Sequence, residues 1–114
     1  MIELMNSETR RNLRVNPPSG STINNVLNNQ PLGELLNISH DGFMISSRDR
    51  IESGQIYQLN LHLTTDPAVQ ISIGAECMWT ETHGSGMDFG GFFILDISDS
   101  DQKQLDRVIE ILDN

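Results

Sequence analysis

The chain has 114 residues and is strongly acidic, with seven Lys and Arg residues against sixteen Asp and Glu and a formal net charge of −9. Nucleic-acid duplexes are normally bound through a basic patch that neutralises many phosphates, so this balance argues against DNA or RNA as the main partner. No apolar run approaches the roughly 20 residues of a membrane-spanning helix, so membrane insertion is not expected. The length predicts one domain with a real hydrophobic core.

The first nine residues show no clear periodicity, and we expect residues 1–9 to form a mobile N-terminal segment. This segment is neither basic enough nor long enough in apolar residues for a signal peptide. The single cysteine, Cys77, cannot form an internal disulfide and lies in an apolar run, which predicts a buried thiol. These features indicate a cytoplasmic protein, whose domain we expect to span residues 10–114.

Three arginines, Arg10, Arg11 and Arg14, form a basic cluster with the spacing Arg-x-x-x-Arg. Guanidinium groups can donate paired hydrogen bonds to phosphate oxygens or to the acceptor edge of guanine. Short charge runs are often only solvated surface, so the cluster by itself indicates either an idle segment or a site for a small anion. Residues 16–20, Asn-Pro-Pro-Ser-Gly, cannot continue a helix or a central strand, which places the arginines on an extended lead-in.

Six segments separated by turn residues predict β-strands. They cover residues 22–27, 33–38, 43–46, 56–63, 69–80 and 87–95. Alternation is clearest in the fourth segment, where one face carries Tyr57, Leu59, Leu61 and Leu63. Short strands at such even spacing indicate an antiparallel barrel or sandwich.

The fifth segment also alternates, with a period-two series of Ile71, Ile73, Ala75, Cys77 and Trp79. We interpret Trp79, the last residue of this series, and Phe89 in the sixth segment as core aromatics on adjacent strands. For Trp79 a second interpretation stays open, because an aromatic side chain at the rim of a barrel could stack on a nucleotide base.

The C-terminal part has a helical period. Leu105, Val108, Ile109 and Leu112 lie at i, i+3, i+4 and i+7, which predicts an amphipathic helix over about residues 99–113. Ser98 and Asp101 resemble a capping box, and acidic residues in the first turn suit the helix dipole. Such a helix could simply pack on the barrel or could also contact a partner.

A second motif, Asn-x-Ser-x-x-Gly, occupies residues 37–42. These residue types are common in turns. Asn37 also offers a donor and an acceptor to a base edge, and Ser39 offers a hydroxyl two residues later, on the same face of a strand. Gly42 would let the backbone turn sharply or let a ligand approach closely. By itself the pattern fits either a plain turn or part of a binding site.

The sequence offers no support for a metal site or a catalytic centre. His40, His62 and His83 are far apart, and one cysteine cannot form a Cys-x-x-Cys pair. Residues 39–41, Ser-His-Asp, contain the residue types of a hydrolytic triad, but adjacent residues cannot normally bring those side chains into one relay. We therefore expect neither an enzyme nor a cofactor.

Together the two motifs resemble the two-part signature of PilZ domains, bacterial receptors for cyclic di-GMP: Arg10-x-x-x-Arg14 followed by Asn37-x-Ser39-x-x-Gly42. Residues 86–89, Gly-Met-Asp-Phe, are also similar to the Gly-x-x-Phe pattern on the last barrel strand of that family. The resemblance runs from about Thr9 to the C-terminal helix. It implies an all-β fold, a six-stranded antiparallel split β-barrel over about residues 20–95, followed by the C-terminal α-helix.

The resemblance also implies a surface site for cyclic di-GMP made of Arg10, Arg11, Arg14, Asn37, Ser39 and Gly42, with Trp79 and Gly86 as further candidates. The arginines would bind the phosphates and the Hoogsteen edge of guanine. Asn37 would bind polar atoms of guanine, Ser39 would assist, and Gly42 would hold the turn. We further expect the arginine segment to become ordered when the ligand binds.

The function that the resemblance implies is a receptor or adaptor that acts through an unidentified partner protein on motility, biofilm formation or exopolysaccharide output. The alternative is a PilZ-like adaptor that no longer binds nucleotide and acts in pilus or flagellar function through protein contacts. Such divergent members tend to lack the arginines, which this chain retains. A small β-barrel that binds nucleic acid is disfavoured by the acidity and by an aromatic content of 5%. The oligomeric state stays open.

Overall fold

Residues 13–113, the part described by the computed structural model, form a closed six-stranded antiparallel barrel followed by one helix. The elements are β1 (Thr22–Asn25), β2 (Gln30–Ile38), β3 (Gly42–Ser47), β4 (Ile56–Leu63), β5 (Val69–Thr82), β6 (Asp88–Ile97) and α1 (Asp99–Asp113). The strand order is β1-β2-β3-β6-β5-β4, and the pairing of β1 with β4 closes the barrel. The expected fold is thereby confirmed, whereas the limits of residues 10–114 for the domain stay a prediction.

The barrel interior is filled by the inward-facing residues of all six strands. On β4 the alternation was predicted correctly, since Leu59, Leu61 and Leu63 are fully buried and Tyr57 packs partly buried against the core. Each fully buried side chain of this size contributes about 1.5–3 kcal/mol. Aromatic packing inside the barrel comes from Phe43 and Phe92, whose rings stack with centroids 5.0 Å apart.

Strand β1 ends two residues earlier than the pattern predicted. The carboxamide of Asn25 accepts a hydrogen bond from the Leu27 amide at 2.9 Å, and that of Asn28 accepts one from the Gln30 amide at 3.0 Å. Such local side-chain bonds compete with strand pairing and favour a turn. Val26 and Leu27 therefore lie on an exposed hairpin instead of continuing the strand.

Strand β5 departs from simple alternation near its end. Its register against β6 shifts between Cys77 and Trp79, so that Met78 has no partner there. A bulge of this kind moves the following side chains to the other face. Cys77 is buried, and burial raises the pKa of its thiol, but Trp79 is 42% exposed on the outer surface. The core interpretation of Trp79 is therefore wrong, and the surface alternative is the one observed.

Phe89 also lies outside the core cluster. It is half-buried on β6, and its ring packs against the imidazole of His83 with centroids 4.5 Å apart. The prediction that Phe89 is a core aromatic is wrong, because its neighbour Asp88 is the residue that points inward. The Asp88 carboxylate accepts hydrogen bonds from the Thr82 hydroxyl at 2.8 Å and the Ile51 amide at 3.1 Å.

Helix α1 begins and packs as predicted. The Ser98 hydroxyl accepts a hydrogen bond from the Asp101 amide at 3.1 Å, which is the geometry of an N-cap. The face that carries Leu105, Val108 and Ile109 is buried against the barrel. Within residues 13–113, no helix has the length and apolar character needed to span a bilayer.

Candidate functional site

The two sequence motifs meet on the outer surface beside β2. Val15 and Ile38 form an antiparallel bridge with hydrogen bonds of 2.9 and 3.0 Å. This bridge brings the segment before β1 alongside the end of β2. The Arg14 guanidinium then donates from Nη1 to Oδ1 of Asn37 at 2.8 Å, across 23 residues of sequence. One arginine of the first motif and the asparagine of the second therefore form a single polar cluster.

Among the residues that the structure describes, Arg14 forms no ion pair. Its hydrogen-bond partner is a neutral carboxamide, and within residues 13–113 no carboxylate lies within ion-pair distance of it. Arg14 is also exposed to solvent. The guanidinium therefore keeps donors and a full positive charge for an anionic ligand.

Hydrogen bonds of the buried Ser39 stabilise the turn that follows Asn37. Ser39 is buried, and its hydroxyl lies 3.1 Å from Oδ1 of Asp41 and 3.2 Å from the carbonyl oxygen of Gly42. The Ser39 amide donates to the same carbonyl at 2.8 Å. Ser39 was expected on the same face as Asn37, but β2 ends at Ile38, so the period of two stops before it.

Gly42 begins β3 where two backbones approach closely. A Cβ at this position would collide with the carbonyl oxygen of Phe92 on the paired strand β6. A residue without a side chain is therefore needed here for close strand pairing.

A row of paired residues runs across four strands from this polar cluster. Asn37 on β2 pairs with Met44 on β3, Met44 pairs with Gly91 on β6, and Gly91 pairs with Trp79 on β5. The Asn37 amide nitrogen lies 3.6 Å from the Met44 sulfur. We call these four residues, together with Arg14, the surface row.

The indole of Trp79 covers the backbone of Gly91. A Cβ at Gly91 would collide with the indole nitrogen and its neighbouring ring carbons. Because Gly91 has no side chain, the Trp79 ring can lie across β6 while it stays 42% exposed. The surface row therefore has a polar, cationic end and an aromatic end.

Sequence reasoning did not single out Met44 and Gly91. Their place in the surface row depends on which residues pair across β2, β3, β6 and β5. The alternation of β3 could have indicated that Met44 faces outward, but no local pattern connects it to Gly91 or Trp79.

The structure does not bring Gly86 into the surface row. Gly86 occupies the turn between β5 and β6 with φ of 82°. Three paired positions separate Trp79 from the last pair of that hairpin, Thr82 with Asp88, so Gly86 is more than about 10 Å along the strands from the surface row. Arg10 and Arg11 fall outside the described residues.

A model of the PilZ domain family matches residues 8–110. The chain belongs to the PilZ domain family. Members of this family are receptors or adaptors for cyclic di-GMP, which they bind as a ligand and not as a cofactor, and they are not enzymes. Within residues 13–113 of this PilZ domain, no three His, Cys, Asp or Glu side chains are grouped to hold a metal ion.

Solved structures resemble this PilZ domain in fold. The PilZ domain of YcgR from Escherichia coli with c-di-GMP has a TM-score of 0.68 at 17% identity, with 91% of each chain covered. YcgR from Escherichia coli in complex with c-di-GMP has a TM-score of 0.71 at 19% identity, with coverage of 91% of this chain and 46% of YcgR.

The Bacillus subtilis inhibitor of motility, MotI/DgrA, gives a TM-score of 0.64 at 20% identity, over 80% of this chain and 45% of MotI. This PilZ domain therefore spans about half the length of MotI and of YcgR. No curated protein matches the chain at a significant level of sequence similarity. At such identities the structural likeness shows the fold alone.

Proposed function

We propose that this PilZ domain is a cyclic di-GMP receptor that binds its ligand along the surface row, with Arg10 and Arg11 as additional contacts. The observation that carries the proposal is the 2.8 Å hydrogen bond between Arg14 and Asn37, which joins the two halves of the family motif. A structural neighbour with 91% mutual coverage, the PilZ domain of YcgR, is in complex with c-di-GMP and supports the choice of ligand.

The polar end of the row matches the phosphates and base edges of such a ligand. Arg14 can donate paired hydrogen bonds to a phosphate or to O6 and N7 of guanine. Asn37 has amide donors and a carbonyl oxygen for the remaining polar atoms of the base. Hydrogen bonds to charged groups contribute roughly 1.5–3 kcal/mol each, so this end supplies much of the affinity.

The aromatic end of the row offers a stacking surface. Trp79 lies three strands from Asn37, which corresponds to about 14 Å at the usual spacing between neighbouring strands. A stacked base contributes about 1–3 kcal/mol. A row with polar groups at one end and an indole at the other is suited to a dinucleotide, because both guanines and the phosphates between them find partners.

Ser39 and Gly42 act indirectly in this proposal. The buried Ser39 hydroxyl bonds within the turn, and Gly42 allows β3 to pair closely with β6. Both residues therefore hold Asn37 in position. With these contacts we expect micromolar affinity, which corresponds to about 8 kcal/mol.

The response to ligand would pass through a partner protein, and we propose that it regulates motility, biofilm formation or exopolysaccharide output. A structural neighbour that is an inhibitor of motility supports this class of process. Isothermal titration calorimetry with cyclic di-GMP, GTP and a short oligonucleotide tests the proposal. Micromolar binding of cyclic di-GMP, without binding of GTP or the oligonucleotide, would support the proposal. No binding of any of the three would favour the adaptor that acts through protein contacts only.

A further inference from the structure

The turn between β2 and β3 is fastened to helix α1 through His40. The imidazole Nδ1 of His40 lies 2.6 Å from Oδ1 of Asp106. The Gln102 side-chain amide donates to the His40 carbonyl oxygen at 3.1 Å and to Oδ1 of Asp106 at 2.8 Å. Three residues thus form a closed set of contacts between the turn and the helix, which we call the His40 clasp.

The same turn begins at the proposed ligand site. Asn37, which accepts the hydrogen bond from Arg14, is three residues before His40. Ile38, between them, is held to Val15 by two backbone hydrogen bonds. A ligand that holds Arg14 and Asn37 together therefore restrains the segment that carries His40.

Helix α1 has few polar ties to the barrel. Within the described part of the chain, its side chains hydrogen-bond to the barrel and its turns only at the Ser72 amide, which donates to Asp101 at 3.1 Å, and at His40. The remaining attachment is the apolar face already described. The His40 clasp is half-exposed, with 23% of the His40 side chain and 41% of the Asp106 side chain accessible.

We propose that His40 is a positioning residue that couples occupancy of the ligand site to the docking of α1. The ligand half of this inference rests on the proposed function. Binding at Arg14 and Asn37 stabilises the turn, and the turn holds the helix through the His40 clasp. Coupling of this kind is reciprocal, so loosening the helix weakens ligand binding by the same factor that the ligand tightens the helix.

The coupling explains how ligand binding beside β2 affects α1, a different element of the surface. Ile111 lies near the end of α1 and is 57% exposed, so a partner that contacts this helix would sense whether it is docked. Because the clasp is only half-buried, its strength is modest, and a ligand of micromolar affinity can shift the docking equilibrium.

Amide hydrogen exchange of the ligand-free protein tests the coupling first. His40→Ala should raise the exchange rates of residues 37–42 and of α1 together, by about threefold to tenfold, the range expected for loss of a net hydrogen bond. Lys103→Ala, on the exposed side of the same helix, should change neither. Faster exchange in the turn with an unchanged helix would overturn the proposal.

Exchange measurements with added cyclic di-GMP test whether ligand binding affects α1 through His40. The ligand should slow exchange in α1 of the wild-type protein and of Lys103→Ala, but not of His40→Ala, whose affinity should fall by about threefold to tenfold. Equal protection of α1 in the wild type and in His40→Ala would contradict the coupling. Absence of binding to the wild type would overturn the proposed function, whereas the ligand-free experiment would still decide whether the turn and the helix are coupled.

A double-mutant cycle excludes a purely structural role for His40. If the clasp carries the coupling, His40→Ala combined with Asp106→Ala should weaken cyclic di-GMP binding no more than either change alone. Additive losses would count against it. Should His40→Ala fail to fold, Gln102→Ala removes the bonds to the His40 carbonyl and to Asp106, and the same exchange measurements apply.

Discussion

The Trp79 indole lies over Gly91, its register partner on β6, at a position where any side chain would collide with the ring. This contact determines the aromatic end of the surface row. It also makes the site open to a sensitive test, because Trp79 is the only tryptophan of the chain.

Replacing Gly91 should disturb the proposed site without unfolding the barrel. We expect Gly91→Ala to displace the indole and to weaken cyclic di-GMP binding at least about fivefold, since a stacked base is worth about 1–3 kcal/mol. Calorimetry gives the affinity, and tryptophan fluorescence reports the displaced ring. Gly84→Ala is the matched control, because nothing lies within 4 Å of a Cβ at Gly84. Equal affinities of the two variants would contradict a role for Trp79.

Loss of the Arg14 guanidinium should affect binding and not stability. Arg14 is exposed, and its carboxamide partner Asn37 can bond to water instead. We expect Arg14→Ala to raise the Kd for cyclic di-GMP at least about tenfold, which corresponds to about 1.4 kcal/mol, with an unchanged melting temperature. Arg48→Ala removes another exposed arginine, outside the surface row, and should bind like the wild type. An unchanged Kd for Arg14→Ala would refute the site assignment.

Substitutions of Asn37 and Ser39 should distinguish direct contact with the ligand from indirect support of the turn. Ser39 is buried, so Ser39→Ala removes its hydroxyl from within the turn and should lower the free energy of unfolding by about 1 kcal/mol. Asn37→Ala should leave the free energy of unfolding nearly unchanged. It should weaken cyclic di-GMP binding more strongly than Ser39→Ala does. Urea denaturation and calorimetry on both variants provide the comparison. A larger stability loss for Asn37→Ala than for Ser39→Ala would reverse the two roles.

Protonation of Asp88 at acid pH should lower the stability of the folded barrel. The Thr82 hydroxyl, followed by the Ile51 amide, lowers the pKa of Asp88 from its ordinary value of 3.8. A carboxyl group with a lower pKa in the folded state stabilises the fold above its unfolded pKa, and this stabilisation is lost as pH falls through the folded pKa. The contribution of Asp88 is therefore complete above about pH 5 and declines below about pH 4.

Urea denaturation of Asp88→Asn as a function of pH checks this assignment. The variant should be less stable than the wild type near neutral pH and should lose less stability between about pH 5 and pH 2. Asp66→Asn, a change at an exposed aspartate, is the control and should retain the wild-type pH dependence. Parallel stability curves for Asp88→Asn and the wild type would show that Asp88 is not the group responsible.

The elements could be predicted because their signals are local. Alternation identified β4 from end to end, and helical spacing with the Ser98 cap identified α1. The end of β1 could not be predicted from apolar spacing, since the side chain of Asn25 bonds the Leu27 amide and starts the hairpin two residues earlier. The alternation along β5 predicted that the Trp79 side chain faces the core, but the bulge at Met78 places it on the outer surface.

The number and type of elements and the residues of the two motifs can be read from the amino-acid sequence, because alternation, helical period and turn chemistry act over a few residues. Which of these residues contact one another depends on the folded chain. The contacts of Arg14 with Asn37, of Trp79 with Gly91 and of His40 with Asp106 each join residues from separate elements. The first two depend on strand pairing, where a shift of one residue in register would send a side chain to the opposite face of the barrel. The third depends on how α1 packs against the barrel.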